Sequence, residues 1–320
     1  MSTELTREPQ TYAGGSRLAR YASLVKLPHT VFALPFALVG VVLASWTHPV
    51  DARVVGWVVV AFTAARFAAM GFNRIVDRDV DAANPRTASR ELPSGALGVG
   101  EARAAVAVAS LVFVLAAWAL NPLCLALAPV ALAWVFLYSY TKRFTRFSHL
   151  VLGLGLGIAP VGGFLAVTGA WSSPWWLLAA LSLAVTGMWS SPWWLLAALS
   201  LAVTTWVGGF DIFYALQDEQ FDRTRGLHSM PVALGERGAI RVARALHVTT
   251  VLMLGLVAYG ASAERAWLAA GAALVAALLA WEHRLVRPGD LSRLDAAFFT
   301  MNGVISLAFF AVVLLGRVAG

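Results

Sequence analysis

Charged residues are scarce in this chain: only 13% of its 320 residues are Asp, Glu, Lys or Arg, and 59% are hydrophobic. A typical soluble domain contains about 25% charged residues. Several stretches, such as residues 31–46 and 54–72, are nearly uncharged. Such stretches of about 16 to 20 residues have the length that a bilayer core requires of a helix. The composition therefore excludes a soluble globular protein and indicates an integral membrane protein.

Cysteine is also nearly absent, since Cys124 is the single one and lies within an apolar run. A disulfide framework is excluded, and a small buried thiol is the simplest interpretation. The net charge of +7 does not indicate a nucleic-acid partner, because the basic residues lie in short gaps between apolar runs. Residues 1–20 are polar and carry no cleavage-site pattern, so we expect no secretory signal peptide.

Apolar runs between charged or Pro/Gly breaks predict nine membrane helices. They cover residues 27–47, 54–75, 102–120, 122–140, 149–169, 193–212, 242–261, 266–283 and 295–316. If residues 1–20 are cytoplasmic, 20 of the 24 Lys and Arg residues fall on the cytoplasmic side and three on the other. This bias follows the positive-inside rule. The sequence thus predicts a single all-α domain over residues 1–320, a multi-pass protein of the inner (plasma) membrane with a cytoplasmic N-terminus.

One segment is duplicated: WSSPWWLLAALSLAVT occurs at residues 171–186 and again, without a mismatch, at 189–204. An identical pair indicates a recent tandem duplication or a sequence error more readily than a functional feature maintained by selection. A tenth crossing would place nearly equal numbers of basic residues on the two faces. We therefore expect one copy to be absorbed on the outer face, as a re-entrant, interfacial or helix-extending segment, without reversing the topology.

Acidic residues cluster at the ends of two predicted helices. The first cluster, in the order of the chain, consists of Asn73, Asp77 and Asp81. The second consists of Tyr214, Asp218 and Asp222. A spacing of four residues keeps each set on one helix face, and the predicted topology places both sets on the same side of the membrane.

Carboxylates at membrane depth cost roughly 2.5–3.5 kcal/mol each, and like charges one turn apart repel each other. A divalent cation removes both penalties. Mg²⁺ usually binds one or two carboxylates together with substrate phosphates, so the clusters predict a diphosphate held through Mg²⁺. The alternative is a pair of ordinary solvated helix ends. Two matching clusters in a chain with only 17 acidic residues favour the site.

The two clusters resemble the NxxxDxxxD and DxxxD motifs of the UbiA superfamily of intramembrane prenyltransferases. The resemblance extends over nearly the whole chain and includes HTVFALPFAL at 29–38, NRIVDRDVDAANPRT at 73–87 and GFDIFYALQDEQFD at 209–222. The sequence of these segments is most similar to the bacterial 4-hydroxybenzoate polyprenyltransferase-like branch of the family. The duplicated segment departs from the family pattern and lies immediately before the helix with the second motif.

The resemblance implies a helical bundle around a central cavity that opens to lipid, with polar caps over a cytoplasmic mouth. It also implies Mg²⁺-dependent transfer of a polyprenyl group from its diphosphate to an aromatic acid such as 4-hydroxybenzoate, in ubiquinone or menaquinone biosynthesis. We expect no obligate protein partner. Other acceptors, such as haem, a chlorophyll precursor or a lipid precursor, remain open. From a different class, a cation-coupled secondary transporter also remains an alternative.

The site residues follow from the same resemblance. The expected catalytic residues are Asp77, Asp81, Asp218 and Asp222, which with Asn73 are also the expected metal ligands. The expected substrate-binding residues, besides Asn73, are Lys26, Arg66, Arg74, Arg86, Arg90, Lys142, Arg143, Tyr214 and Arg225. Arg223 and His228 could close over the diphosphate, and the rings of Tyr138 and Tyr214 could stabilise a carbocation.

Arg66 needs a separate argument because it lies within a predicted span, two turns before Asn73 on the same face. An arginine at that depth requires an anionic partner. We expect contact with the acceptor carboxylate or the diphosphate. Pairing with a structural carboxylate and snorkelling to an interface are the alternatives. For the other basic residues, the alternative is a role as topology anchors.

Overall fold

The computed structural model describes residues 16–26, 30–169, 193–261, 264–294 and 300–319. Within these residues the secondary structure is helical, without a β-strand. The helices are α1 (Arg17–Leu24), α2 (Thr30–Ala44), α3 (Ala52–Val76), α4 (Arg78–Ala83), α5 (Val99–Leu120), α6 (Pro122–Thr141), α7 (Ser148–Thr168), α8 (Trp193–Ala215), α9 (Glu219–Thr224), α10 (Met230–Gly260), α11 (Arg265–Leu285) and α12 (Asn302–Ala319). A 3₁₀ turn, Leu216–Asp218, joins α8 to α9. The all-α prediction is confirmed.

Eight of the helices in the described ranges are long and apolar enough to cross a bilayer. They are α3, α5, α6, α7, α10, α11, α12 and the segment that begins in α8 and continues through α9. Helix α2 is shorter, at 15 residues, but packs among them against α3, α7 and α12. The predicted bundle of about nine apolar helices is therefore confirmed, and the chain is a polytopic membrane protein.

The apolar helices close into a ring in chain order, α2–α3–α5–α6–α7–α8–α10–α11–α12, and α12 returns to α2. Helices α2 and α7 also contact each other, so the ring consists of two groups that share this pair. The group containing α8 and α12 is solidly packed: Phe36 lies 5.0 Å from Trp206 and 5.8 Å from Phe309 between ring centroids. The group containing α3, α5, α6 and α7 surrounds a cavity instead.

Glycines allow α7 to approach both of its central neighbours closely. A Cβ atom on Gly163 would overlap the carbonyl oxygen of Ala37 on α2. Likewise, a Cβ atom on Gly153 would overlap the carbonyl oxygen of Thr204 on α8. Small residues are the usual means of close helix packing in membranes. These contacts fix α7 between α2 and α8, and α8 is the helix that leads to the second acidic motif.

Helix α10 begins 12 residues earlier than predicted, at Met230 instead of residue 242. Ser229 caps its N-terminus by accepting a hydrogen bond from the backbone N–H of Val232, and Gly235 supplies a kink with φ of 67°. The added turns carry Arg237, which is exposed. Apolar-run counting missed them because this part of the helix is amphipathic rather than uniformly apolar.

The duplicated segment lies mostly outside the described residues. Residues 193–204 of the second copy form the first half of α8, whereas the first copy at 171–186 is not described. The outer-face placement predicted for one copy therefore stays a prediction. Helix α7 starts at the end of the bundle where α6 finishes, and α8 runs back towards that end. Helices α7 and α8 therefore run in opposite directions, and the later helices keep the alternating direction expected of nine spans.

Gly163→Ala should destabilise the bundle by about 1–3 kcal/mol, because the added methyl group overpacks the α2–α7 contact. Gly162 is the matched control on the same helix, since no atom lies within 4 Å of the position its Cβ would occupy. Thermal unfolding of both Ala variants in detergent measures the difference. Equal stability of the two variants would contradict the close α2–α7 packing.

Candidate active site

The first acidic motif lies where α3 ends and α4 begins. Asp77 is the C-cap of α3, with φ of −92° and ψ of 5°, so the motif is not one continuous helix as the spacing suggested. The backbone N–H of Asp77 donates to the carbonyl of Asn73 at 2.9 Å, and that of Asp81 donates to the carbonyl of Asp77 at 2.7 Å. These i→i−4 bonds preserve the common face across the bend.

The second motif has a similar interruption. Tyr214 belongs to α8, Asp218 ends the 3₁₀ turn and Asp222 lies in α9. Asp218 and Asp222 are buried, with 8% and 3% of their surface exposed. Burial of two carboxylates three and seven positions beyond the end of α8 requires cationic partners nearby.

The loop after the first motif supplies those partners. Arg86 donates to both carboxylate oxygens of Asp218, through Nε at 2.9 Å and through Nη2. Asn84 donates to the same carboxylate at 2.9 Å. A bidentate arginine–carboxylate pair has both strength and a defined orientation. Asn84 and Arg86 precede Asp218 by 134 and 132 residues along the chain. These contacts bring the two acidic motifs together at one end of the bundle, which we call the polar mouth.

Arginines also orient the aspartates of the first motif. Arg90 lies 2.6 Å from Asp81, and Arg74 lies 3.8 Å from the same carboxylate. Arg143 lies 3.1 Å from Asp77, which also accepts a hydrogen bond from Asn73 at 3.0 Å. Burial raises the pKa of Asp77, while Lys142 and Arg143 act in the opposite direction.

Cations outnumber carboxylates in the pocket of the polar mouth, a cavity of about 170 Å³. It is lined by seven cationic side chains: Lys26, Arg66, Arg74, Arg86, Arg90, Lys142 and Arg143. Its five carboxylates are Asp77, Asp81, Asp211, Asp218 and Asp222. Burial lowers the pKa of Lys26, and so do Arg74, Arg90 and Arg86. A pocket with this charge excess is suited to a multiply charged anion.

Tyr214 contacts two of the cationic side chains of the pocket. Its hydroxyl accepts hydrogen bonds from Arg86 at 2.8 Å and from Lys26 at 3.3 Å. Burial disfavours the charged form of Arg86, but Tyr214 and Asp218 outweigh it and raise the pKa of its guanidinium. Across the pocket, burial likewise opposes the charge of Lys142, but Asp222, Tyr138, Asp211 and Asp218 together outweigh it and raise the pKa of that ammonium group.

The carboxylates of the pocket could supply some, but not all, of the ligands of an Mg²⁺ ion. Oδ2 of Asp81 and Oδ2 of Asp222 are buried and have no hydrogen-bond partner in the part of the chain that the structure describes. Within the described ranges, no three Asp, Glu, His or Cys side chains converge as a complete protein-only metal site. Mg²⁺ commonly takes one or two carboxylates and completes its shell with water and phosphate oxygens. The donor set therefore fits an ion that arrives with a diphosphate, while direct ligation by each expected residue stays a prediction.

An apolar cavity of about 230 Å³ extends from the polar mouth between α3, α5, α6 and α7. Residues such as Phe62, Leu127 and Trp134 line it. Arg66, Asn73 and Tyr138 line both this cavity and the pocket of the mouth. The two spaces are therefore adjacent and form a path from a charged entrance into a hydrocarbon-like interior.

Arg66 lies at the boundary between the two spaces. Its Nε is buried and has no hydrogen-bond partner within the described part of the chain, and no carboxylate forms an ion pair with it there. The alternative of a structural ion pair is therefore not what these residues show. A guanidinium in this position is available to an anionic group that enters the cavity.

Sequence reasoning missed three residues of this site. Asn84 binds Asp218, and Asp211 lines the pocket with His149 hydrogen-bonded behind it at 2.7 Å. A signal for Asp211 was present, because it lies three and seven residues before Tyr214 and Asp218 and so shares their helix face. No comparable signal pointed to His149, which belongs to another helix.

Three predicted residues do not enter the pocket. Arg225 is exposed and lies over the ring of Phe221, with 5.7 Å from its Cζ to the centroid. Arg223 is paired at the surface with Glu219 at 2.7 Å. The backbone N–H of His228 donates to the carbonyl of Lys142 at 2.7 Å, but its side chain is exposed. Gly226, with φ of 66°, forms a turn after α9.

Comparison with known proteins is consistent with this architecture. A model of the UbiA prenyltransferase family matches residues 33–304. The chain is 30% identical over 252 residues to a 4-hydroxybenzoate octaprenyltransferase of Sodalis glossinidius, covering 78% of each chain. It is 28% identical over 303 residues to the enzyme of the same name from Alkalilimnicola ehrlichii, covering 93% of this chain and 94% of the relative.

Solved structures share the fold. The apo structure of a UbiA homologue from Aeropyrum pernix superposes with a TM-score of 0.76 at 34% identity, covering 90% of this chain and 97% of that one. A UbiA homologue from Archaeoglobus fulgidus bound to DMAPP and Mg²⁺ has a TM-score of 0.68 at 18% identity, with coverage of 94% and 100%. The family match spans most of the chain, and the sequence relatives span most of it at about 30% identity. The chain therefore belongs to the UbiA prenyltransferase family.

Proposed function

We propose that this prenyltransferase transfers a polyprenyl group from its diphosphate to a 4-hydroxybenzoate-like aromatic acid, with Mg²⁺, in ubiquinone or menaquinone biosynthesis. The observation that carries the proposal is the meeting of two aspartate motifs and an excess of cations at the entrance of an apolar cavity. The relatives named as 4-hydroxybenzoate octaprenyltransferases support this acceptor class. The homologue structure with DMAPP and Mg²⁺ supports the donor and the metal.

The polar mouth is suited to hold the head group of the donor. Lys26, Arg74 and Arg90 line it and can donate hydrogen bonds to phosphate oxygens. Asp77, Asp81, Asp218 and Asp222, with Asn73, are the residues that would hold Mg²⁺. When bound, the ion neutralises negative charge on the diphosphate leaving group. The arginines keep these carboxylates in fixed positions before the substrate arrives, which is the preorganisation that transition-state stabilisation requires.

The apolar cavity is suited to the hydrocarbon tail and to protection of the allylic cation. Its walls are almost entirely apolar, so water that would quench the cation is excluded. The ring of Tyr138 lies at the cavity boundary and can face a cation there. The cation then alkylates the aromatic ring of the acceptor, and loss of a proton restores aromaticity.

Arg66 favours an acidic acceptor over a neutral one. A guanidinium at the junction of the two spaces that forms no ion pair within the described residues is costly until an anion binds to it. The carboxylate of a hydroxybenzoic acid can accept two parallel N–H bonds from such a group. A neutral acceptor would leave this charge uncompensated.

The direct test uses purified protein, Mg²⁺, labelled prenyl diphosphates of several lengths and a panel of aromatic acids. Formation of a prenylated acid together with diphosphate release supports the proposal. Diphosphate release with prenylation of a non-acidic acceptor would replace the acceptor class, and absence of any prenylated product would reject the activity.

Asp77→Asn should lower kcat by roughly 100-fold or more, the loss typical when one preorganised electrostatic group is removed. Asp77 is a cleaner target than Asp218, whose loss would also leave Arg86 buried without its ion-pair partner. Asp79→Asn is the matched control, because the Asp79 side chain is 86% exposed. Rates of diphosphate release in both variants provide the measurement. Comparable rates in Asp77→Asn and Asp79→Asn would refute the metal assignment.

Arg66→Met should raise KM for 4-hydroxybenzoate by about 10- to 100-fold, because a hydrogen bond to a charged group contributes about 1.5–3 kcal/mol. The KM for the prenyl diphosphate should change much less. Wild-type protein should discriminate against 4-hydroxybenzamide, and the variant should not. The exposed Arg103 of α5 provides an Arg→Met control. Retained discrimination in Arg66→Met would assign the carboxylate to another residue.

The polar mouth should face the cytoplasm, as the distribution of basic residues predicts. His228→Cys in a Cys124→Ala background places one thiol on the exposed loop beside the mouth. An impermeant maleimide should label this thiol in inverted membrane vesicles and leave it unlabelled in intact spheroplasts. Labelling in spheroplasts alone would reverse the proposed orientation.

A further inference from the structure

One carboxylate of the pocket lies deeper than the two aspartate motifs. Asp211 precedes Asp218 by seven residues, which along a helix corresponds to about 10 Å towards the membrane interior. It lines the pocket together with Arg66 and Tyr138. Asp211 therefore lies closer to the proposed position of the acceptor than to the proposed position of the diphosphate.

We propose that Asp211, oriented by His149, is the base that accepts the proton released when the aromatic ring is alkylated. This inference rests on the proposed function and adds the residue that completes the substitution. The family motifs account for ionisation of the donor, whereas restoring aromaticity requires a proton acceptor beside the ring.

The hydrogen bonds around His149 define its proton positions. The backbone N–H of Met230 donates to Nε2 of His149 at 3.3 Å, so Nε2 carries a lone pair. The proton of the neutral imidazole is then on Nδ1, which donates to Oδ2 of Asp211 at 2.7 Å. The imidazole thus fixes the orientation of the carboxylate.

The other carboxylate oxygen is open to the pocket. His149 is completely buried, whereas the Asp211 side chain keeps 13% exposure. Among the described residues, the bond from His149 is the hydrogen bond that Asp211 makes, and Oδ1 is not among the buried atoms without a partner. Oδ1 is therefore not fully buried and has part of the accessible surface of the pair. A carboxylate that served only to tie α7 to α8 would not need an oxygen facing a cavity.

The groups around this oxygen indicate how an acceptor would be placed. Arg66 can hold the acceptor carboxylate, and the two aspartate motifs with their cations lie beyond Asp211 in the direction of the mouth. A ring bound between them presents its reacting carbon near Asp211. Tyr138 of α6 lines the same pocket.

The step balances as an electrophilic substitution. The C–O bond of the prenyl diphosphate breaks and the diphosphate leaves with the electron pair. A ring carbon of the acceptor forms a C–C bond with the allylic cation. Oδ1 of Asp211 then removes the hydrogen of that carbon as a proton, and the C–H electron pair returns to the ring. The neutral carboxylic acid loses its proton to water at the polar mouth, with which the pocket is continuous.

The test is Asp211→Asn, assayed with ring-deuterated and ordinary 4-hydroxybenzoate. Loss of a general base should lower kcat by about 100-fold or more. Removal of the ring proton should also become rate-limiting, so a primary deuterium isotope effect on kcat should appear that wild-type protein lacks. A merely structural role would slow the enzyme without creating this effect. Asp79→Asn again provides the matched exposed control.

His149→Leu guards against a folding defect at position 211, because it keeps the carboxylate and fills a similar volume. It should lower kcat less than Asp211→Asn does, create a smaller isotope effect and leave KM for the donor unchanged. Slow turnover of a folded Asp211→Asn protein without an isotope effect overturns the inference, as does a wild-type rate. If wild-type protein prenylates no aromatic acid, the proposed function fails first. An active wild type with an unaffected variant rejects Asp211 alone.

Discussion

The structure depends on one constraint: a carboxylate buried next to a membrane interior must have a compensating cation. Arg86 meets this need for Asp218, Arg90 for Asp81 and Arg143 for Asp77. Such pairs do not by themselves make a protein more stable, because desolvation offsets much of the attraction. Their effect is positional. The Arg86–Asp218 pair joins the loop after α4 to the segment after α8, and so brings the two halves of the chain to one entrance.

The two groups of helices in the ring differ in packing: one is filled and the other surrounds a cavity. Aromatic packing of Phe36, Trp206 and Phe309 fills the group that contains α8 and α12. Glycines on α7 bring α2 and α8 close to it without side chains between the backbones. Helices α3, α5 and α6 then surround the space that remains. A rigid, filled half therefore holds α8, with Asp211 and Tyr214, against a hollow half that can accept a long apolar substrate.

Much of this architecture could be predicted from the sequence because its signals are local. Uninterrupted apolar runs gave helices such as Ala52–Val76 to within two residues, and the four-residue spacing correctly placed Asp77 and Asp81 on one face. The amphipathic start of α10 lacked an apolar run and was missed. His149 was missed because its role depends on a contact across 62 residues of chain. Arg225 was placed in the site by proximity to Asp222, but its side chain is exposed and lies over the ring of Phe221.

In the proposed reaction, bond breaking and bond making would occur at different depths. The cations and aspartates of the polar mouth would hold the charged leaving group, which could not follow the tail into the apolar space. The cation would then form where polar pocket and apolar cavity meet. Arg66 and Tyr138 line both spaces, and Asp211 lines the polar pocket with them. An acceptor anchored by its carboxylate would place its ring there, between the leaving group and the hydrocarbon-lined cavity. The ring, and not water, would be the nucleophile, because the ring would be held in place and the apolar wall opposite would exclude water.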